Sequence, residues 1–281
     1  MNRHRIQRLG FVLVGCASLL VTAPILLVVA SIVVRGASAI DWEFLSTMPS
    51  QGMKAGGILP AIVGTLWLLG GTALICIPVG VGGAIYLAEY ARDTWFTRAI
   101  RLAIVNLAGI PSIVYGLFGL GLFVLFLRLG TSILAASLTL AIMTIPVITS
   151  TSEEAIRAVP VEFRTVSASL GGTRWQGIRR IVLPQALPGI ITGIILGLLR
   201  AAGETAPILF TGAAFFLPRL PRTLLDPTMA LPYHLYVITT QVPGMPQQVQ
   251  YGTALILLLL VLSLNVIATV IRSYFRRRRQ W

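Results

Sequence analysis

The chain has one lysine, two histidines and two cysteines in 281 residues, and only 11% of its residues are charged. Each shortage excludes a class of protein. A soluble domain carries about 25% charged residues. With 56% hydrophobic residues and a mean hydropathy of +0.86, this chain belongs in a membrane. Its one lysine, Lys54, is followed by Ala-Gly-Gly, so the G-x-x-x-x-G-K-[ST] loop that cradles nucleotide phosphates cannot be made. Any ATP-driven process built on this chain uses an ATPase on another chain. His4 and His234 stand far apart with no motif around either. That leaves no metal site of the usual His/Cys spacing and no nucleophile–base set. No cofactor and no enzymatic activity are expected of the chain itself. Cys16 and Cys76 lie in apolar runs and read as small hydrophobes, with no framework of pairs for disulfides.

Acidic residues are scarce too, nine against 22 basic ones, for a net charge of +13. In a soluble protein that imbalance would suggest nucleic acid. Here the arginines sit at the ends of apolar runs, where basic residues set orientation and meet anionic head groups.

An apolar run of about 20 residues crosses the hydrocarbon core. Six such spans are expected, at 11–34, 58–86, 107–127, 132–149, 188–211 and 253–271. The start, MNRHRIQRLGFVLVGC, looks like a lipoprotein cleavage site, but the apolar stretch before Cys16 is too short for a signal peptide and the run continues past it. It reads as an uncleaved first span. Residues 35–57 are an external segment, in which Asp41-Trp42-Glu43-Phe44 suggests a short interfacial helix. Residues 89–106 return to the cytoplasm as an amphipathic stretch with Arg92, Arg98 and Arg101. The third span carries Gly109, Gly116, Gly119 and Gly121, a small-residue face for close helix packing. The fourth runs on through Glu153-Glu154-Ala155, and 213–250 is a long, proline-rich external segment. The fold is an all-α integral membrane protein, a single transmembrane domain over 1–281 with both ends inside. This topology puts sixteen basic residues inside and five outside (Arg35, Lys54, Arg128, Arg219, Arg222), which agrees with the positive-inside rule.

Between spans four and five lies a polar island, residues 159–184, VPVEFRTVSASLGGTRWQGIRRIVLP. Its arginines, Arg164 among them, place it in the cytoplasm. Pro160 can open a helix, and Glu162 then sits where the helix dipole favours negative charge. Gly171-Gly172 stops it, and Thr173 can cap a second helix ending near Leu183-Pro184. Gly171, nine residues and Ile181-x-Leu183-Pro184 together resemble the EAA loop of ABC importer permeases, which docks into the ATPase subunit. The EAA triplet itself is replaced by Thr165, Val166 and Ser167. The resemblance implies a coupling loop at about 153–185. It assigns Arg164, Gly171, Gly172, Ile181, Leu183 and Pro184 to that contact, and it implies the type I (MetI-like) permease architecture.

One arginine belongs to neither side. Arg200 lies twelve residues after Pro188, about 18 Å along a helix and near the middle of a core about 30 Å thick. An arginine there costs at least about 2.5 kcal/mol on insertion scales. Glu204 follows one turn later, within reach of it. A pair at this depth faces a protein interior or a wet pathway. The string Arg200-Ala-Ala-Gly-Glu204-Thr205-Ala-Pro207 resembles the R-A-x-G-E-T-A-P stretch of phosphate-importer permeases of the PstA type. That resemblance implies a pathway for inorganic phosphate through Arg200, Glu204 and Thr205. It also implies a second permease (PstC-like), a dimeric ATPase that uses the ATP (PstB-like) and a periplasmic phosphate-binding protein (PstS-like). The guanidinium fork suits phosphate oxygens. Pro207 would free a backbone carbonyl nearby. A buried structural ion pair is the alternative role for Arg200 and Glu204. Other oxyanions, phosphonate or molybdate, are alternative substrates. A gradient-driven secondary transporter is the alternative class, against which the island argues.

Overall fold

The computed structural model describes residues 3–169 and 171–277. Thus Arg278 and Arg279 of the basic tail lie outside the described residues. The described chain is helical almost throughout, in the order α1 (Arg3–Gly36), α2 (Trp42–Ser46), α3 (Leu59–Ile85), α4 (Trp95–Ala108), α5 (Ser112–Gly119), α6 (Ile133–Arg157), α7 (Val161–Ser169), α8 (Arg174–Gly177), α9 (Leu183–Gly203), α10 (Ala206–Thr211), α11 (Leu231–Thr240) and α12 (Gln247–Arg277). Wider π-helical turns continue α3 over Tyr86–Tyr90, continue α5 over Leu120–Phe126, and join α8 to α9 over Ile178–Val182. Among the described residues, five helices are long and apolar enough to cross a membrane, or six if α4 and α5 count as one bent span.

The centre of the bundle is α6, flanked by α3 and α9. Side-chain size explains how closely they approach. Gly189, Gly193 and Gly197 recur every four residues along α9, and a Cβ on any of them would collide with Ala155, Thr151 or Ile148 of α6. From α3, Gly80 meets Ile148 in the same way, and its carbonyl accepts the Thr149 hydroxyl at 3.3 Å. Without a hydrophobic drive between helices in lipid, such small-residue seams let backbones pack by dispersion. The small-residue face expected of span three is only partly used: Gly116 and Gly119 are buried against α10 and α6, while Gly121 has open space beside it.

At the edge, α1 presents Phe11, Leu20, Leu27 and Val34 outward. It joins the bundle along α12, where Gly36 lies against the Tyr251 backbone and Arg35 donates to the Tyr251 hydroxyl at 3.2 Å. Asp41 caps α2 by accepting from Phe44 N at 2.7 Å, and Trp42 is 81% exposed, as an interfacial helix requires.

Three expectations need correction. The third span does not run unbroken from 107 to 127. Gly109-Ile110-Pro111 ends α4, and the chain turns by 101° into α5. A proline cannot extend the preceding ladder, and its predecessor is pushed out of the helical region. The fifth span likewise does not run from 188 to 211: α9 starts at Leu183, ends at Gly203, and α10 begins only at Ala206. The second island helix does not stop at Leu183-Pro184, because it runs through the π turn into α9 and spans Arg174–Gly203. The wider π turn lies just before Pro184 and takes up the bend that a proline imposes.

The segment between α10 and α12 is not all loop. Pro232 opens α11 in its first turn, and Leu231 N donates to Thr65 Oγ1 at 2.8 Å, pinning this helix to α3. His234 is thereby 2% exposed, with Nδ1 unpartnered, and burial pushes its imidazole from 6.5 down to about 4. Between those values the unfolded chain binds the extra proton, so stability is full above about pH 6.5 and falls as pH drops towards 4. The difference amounts to about 3 kcal/mol. Thermal denaturation of the purified protein between pH 7 and 4 should show this decline, and His234→Phe should flatten it.

Candidate functional site

Two helix breaks meet beside Arg200. The first is the turn at Gly109-Ile110-Pro111 between α4 and α5; the second is at Glu204-Thr205, where α9 gives way to α10. The α10 start packs directly on α5, with Ala206 O and Pro207 against Gly116. The last carbonyls of α4 run out of donors within the helix; Asn106 O and Leu107 O take Gly109 N and Ile110 N of the turn, both at 3.1 Å, and side chains supply further donors. Tyr115 donates its hydroxyl to Leu107 O at 2.7 Å, and Arg200 Nη1 reaches Ala108 O at 3.4 Å. A cation is favoured there by the negative end of the helix dipole.

The expected pair forms, though loosely. Arg200 Nε lies 3.7 Å from Glu204 Oε1, with the two side chains 34% and 17% exposed. Glu204 has already left the helix, with φ −75° and ψ 135°. Its carboxylate is therefore held by a short irregular segment and not by the ladder. Thr205 stands next to it at the N-cap of α10 with no side-chain capping bond, and its carbonyl accepts Leu209 N at 3.0 Å. Pro207 falls in the first turn of α10, where it opens a helix that the chain had already broken, so the expected break lies at Glu204. The guanidinium has five N–H donors. Only Nη1 and Nε have partners among the described residues. The site can therefore present donors to an anion while Glu204 balances the charge. Ala108 and Tyr115 were not foreseen; the signal was the Gly-Ile-Pro at 109–111.

The island forms the short helix α7 and, beyond Gly171, the start of the long helix that runs from α8 into α9; the φ of +71° at the turn suits glycine. Thr173 and Gln176 close a reciprocal capping box, Gln176 N to Thr173 Oγ1 at 3.3 Å and Thr173 N to Gln176 Oε1 at 2.9 Å. Arg164 points inward. Its Nε and Nη2 donate to Glu89 Oε1 at 3.1 and 2.9 Å, and it also caps α6 through Ile156 O and Val159 O. Leu183 packs on the apolar cluster of Ala84, Ile156 and Val182. Gly171 and Pro184 are exposed, Gly172 and Ile181 partly so, beside the exposed Trp175, Arg179 and Arg180. The side chains of Val166 and Ser167, at the displaced EAA triplet, lie outside the described residues. Glu89, Arg101 and Glu153 tie this region together; Arg101 and Glu153 enter the sequence reading only through topology, and none of the three is given a site role there.

Residues 80–281 match the family described as binding-protein-dependent transport system inner membrane component. The probable ABC transporter permease protein YqgI of Bacillus subtilis is 33% identical over 282 residues, covering 95% of this chain and 95% of that protein. The phosphate transport system permease protein PstA 2 of Mycobacterium bovis is 35% identical over 278 residues, covering 99% and 91%. Among solved structures, a chain of the MetNI methionine ABC transporter in an inward-facing conformation superposes with a TM-score of 0.61 at 16% identity, covering 76% of this chain and 94% of that one. A bacterial ABC transporter that imports the polysaccharide alginate gives 0.66 at 14% identity, covering 96% and 98%. At such identities the structures bear on the fold alone.

Removing an N-cap side chain costs about 1 kcal/mol, which means about five-fold more opening of the capped turn. Thr173→Ala should speed amide exchange at Gln176 by that factor and leave exchange in α6 unchanged, as read by hydrogen–deuterium exchange with mass spectrometry.

Proposed function

Because the chain belongs to the binding-protein-dependent transport system inner membrane component family, we propose that it moves inorganic phosphate inward as one permease of an ATP-driven importer. It is a multi-pass integral membrane permease of an ABC importer, a machine that also needs an ATPase and a substrate-binding protein. In this reading the partners are a PstC-like second permease, a PstB-like ATPase dimer that holds the ATP, and a PstS-like phosphate-binding protein. The ATPase docks on the 159–184 loop through its exposed face, including Trp175, Arg179 and Arg180. Both termini lie on the cytoplasmic side, as the charge bias favours.

The observation that carries the substrate reading is Arg200 at the meeting of two broken spans. Discontinuous helices at bilayer mid-depth are where transporters place their sites, because unpaired backbone groups are tolerated only beside a cavity or protein. The 3.7 Å separation from Glu204 is a contact weak enough to yield. An incoming phosphate takes the guanidinium from Glu204 and Ala108 O; on departure the carboxylate returns and neutralises the cation. Thr205 adds a hydroxyl beside it. Phosphonate and molybdate offer similar oxygens, and competition uptake separates them. A structural role is the second reading, favoured by the Arg200–Ala108 bond.

Charge-assisted hydrogen bonds contribute about 1.5–3 kcal/mol, so Arg200→Ala should slow ATP-dependent phosphate uptake by about ten- to a hundred-fold. The assay is radiolabelled phosphate uptake into vesicles holding the whole complex, with complex assembly checked by co-purification. Uptake equal to that of the unmodified protein would remove Arg200 from the pathway.

A further inference from the structure

Span two ends in a way the substrate reading does not use. Its π turn is closed by Ala91 N donating to Tyr86 O at 2.9 Å. The carbonyls at a helix C-terminus have no partner within the helix. Two of them are taken by guanidiniums from other elements: Arg101 Nη2 of α4 donates to Leu87 O at 2.9 Å, and Arg174 Nη2 of α8 donates to Glu89 O. The Glu89 carboxylate, 7% exposed, holds Arg164 of α7. Arg174 also lies over the Tyr90 ring, 5.1 Å from its centroid. Both helices of the docking loop are thus fastened to the end of span two.

The same end is fastened to α4. Besides Leu87 O, Arg101 donates through Nε to Glu153 Oε1 at 2.8 Å, on α6. The other end of α4 is Ala108, whose carbonyl accepts from Arg200. Seven residues of helix, about 10 Å, separate the two. Beyond Ala108 the chain breaks at Gly109-Ile110-Pro111, so α4 can shift relative to α5, with the Tyr115 hydroxyl on Leu107 O as a tie that follows the movement.

We infer that α4 is a strut carrying movement of the docking loop to the Arg200–Glu204 site, and that Arg101 is the positioning residue that attaches it. The inference rests on the permease reading above. When the loop pulls on Leu87 and Arg101, α4 shifts along its axis as one rod and the break takes up the movement. Ala108 O then draws away from Arg200 Nη1, and that donor turns to the anion. The 3.4 Å bond is at the long limit for a hydrogen bond, so the exchange costs little. Coupling of this kind needs an element with two arrangements that both sites bias; here the element is α4, between two arginine–carbonyl bonds.

The test uses the assembled complex in proteoliposomes. Gly203→Cys in a Cys16→Ser background serves as reporter, since a Cβ at Gly203 meets nothing within 4 Å and Cys76 is buried. Maleimide labelling is timed with and without ATP plus vanadate. With Arg101 present, nucleotide should change the labelling rate by about three-fold. Arg101→Ala should abolish that response and lower phosphate uptake by about ten-fold while ATP hydrolysis persists; Arg101→Lys should recover part of both. Glu153 keeps Arg157 at 2.9 Å in these variants and is not left unpaired. A full labelling response in Arg101→Ala would overturn the inference. So would joint loss of response, ATP hydrolysis and complex assembly, the mark of a merely structural residue. Labelling does not depend on the transported anion. A wild-type complex that shows the response but moves no phosphate would overturn the phosphate reading alone and leave the strut supported.

Discussion

Carbonyl groups left over where helices stop, and the arginines that take them up, govern this molecule. A membrane interior has no water to satisfy a broken ladder. This chain breaks its ladders repeatedly and answers several of the breaks with a guanidinium: Arg200 on Ala108 O, Arg101 on Leu87 O, Arg174 on Glu89 O, and Arg164 on Ile156 O and Val159 O. The single lysine among 22 basic residues fits this use. A planar fork can serve a carbonyl and a carboxylate together, as Arg101 and Arg164 do. A compact ammonium is the poorer tool for that geometry.

The breaks are affordable because α6 is not broken. It runs from Ile133 to Arg157 and buries Ile148 and Ile156 completely. Thr139 and Thr144 return their hydroxyls to their own helix at Ala135 O and Leu140 O, so these two make no demand on their neighbours. Against this keel, α9 lays a seam of glycines and α3 lays Gly80. The irregular segments, 109–111 and 204–205, are hung on a rigid member, and a site on such a member keeps its geometry.

Much of this was legible in the sequence, because apolar length, arginine position and capping chemistry are local signals. The spans, the Thr173 cap, the Gly171 turn and the Arg200–Glu204 pair all came from residues close to one another in the chain. What escaped depends on distance. Gly-Ile-Pro at 109–111 reads as the start of span three, with Gly109 on its packing face, and only the 101° turn shows it to be a break. Leu183-Pro184 reads as a stop, and only the π turn upstream lets the helix pass. Glu89 stands where span two gives way to the amphipathic stretch, with its partner Arg164 75 residues away. His234 reads as part of a long external segment; it is buried on a helix that is pinned through Leu231 to Thr65, 166 residues earlier in the chain.

The long first helix has a further consequence. With 34 residues, α1 is about 51 Å long, well beyond a hydrocarbon core of about 30 Å. It leans on the bundle along one flank, near Gly36 and Tyr251. A helix that outruns the bilayer and is loosely moored relieves the mismatch by tilting. Changes in lipid chain length would therefore be absorbed first by the slant of α1, leaving the bundle behind it undisturbed.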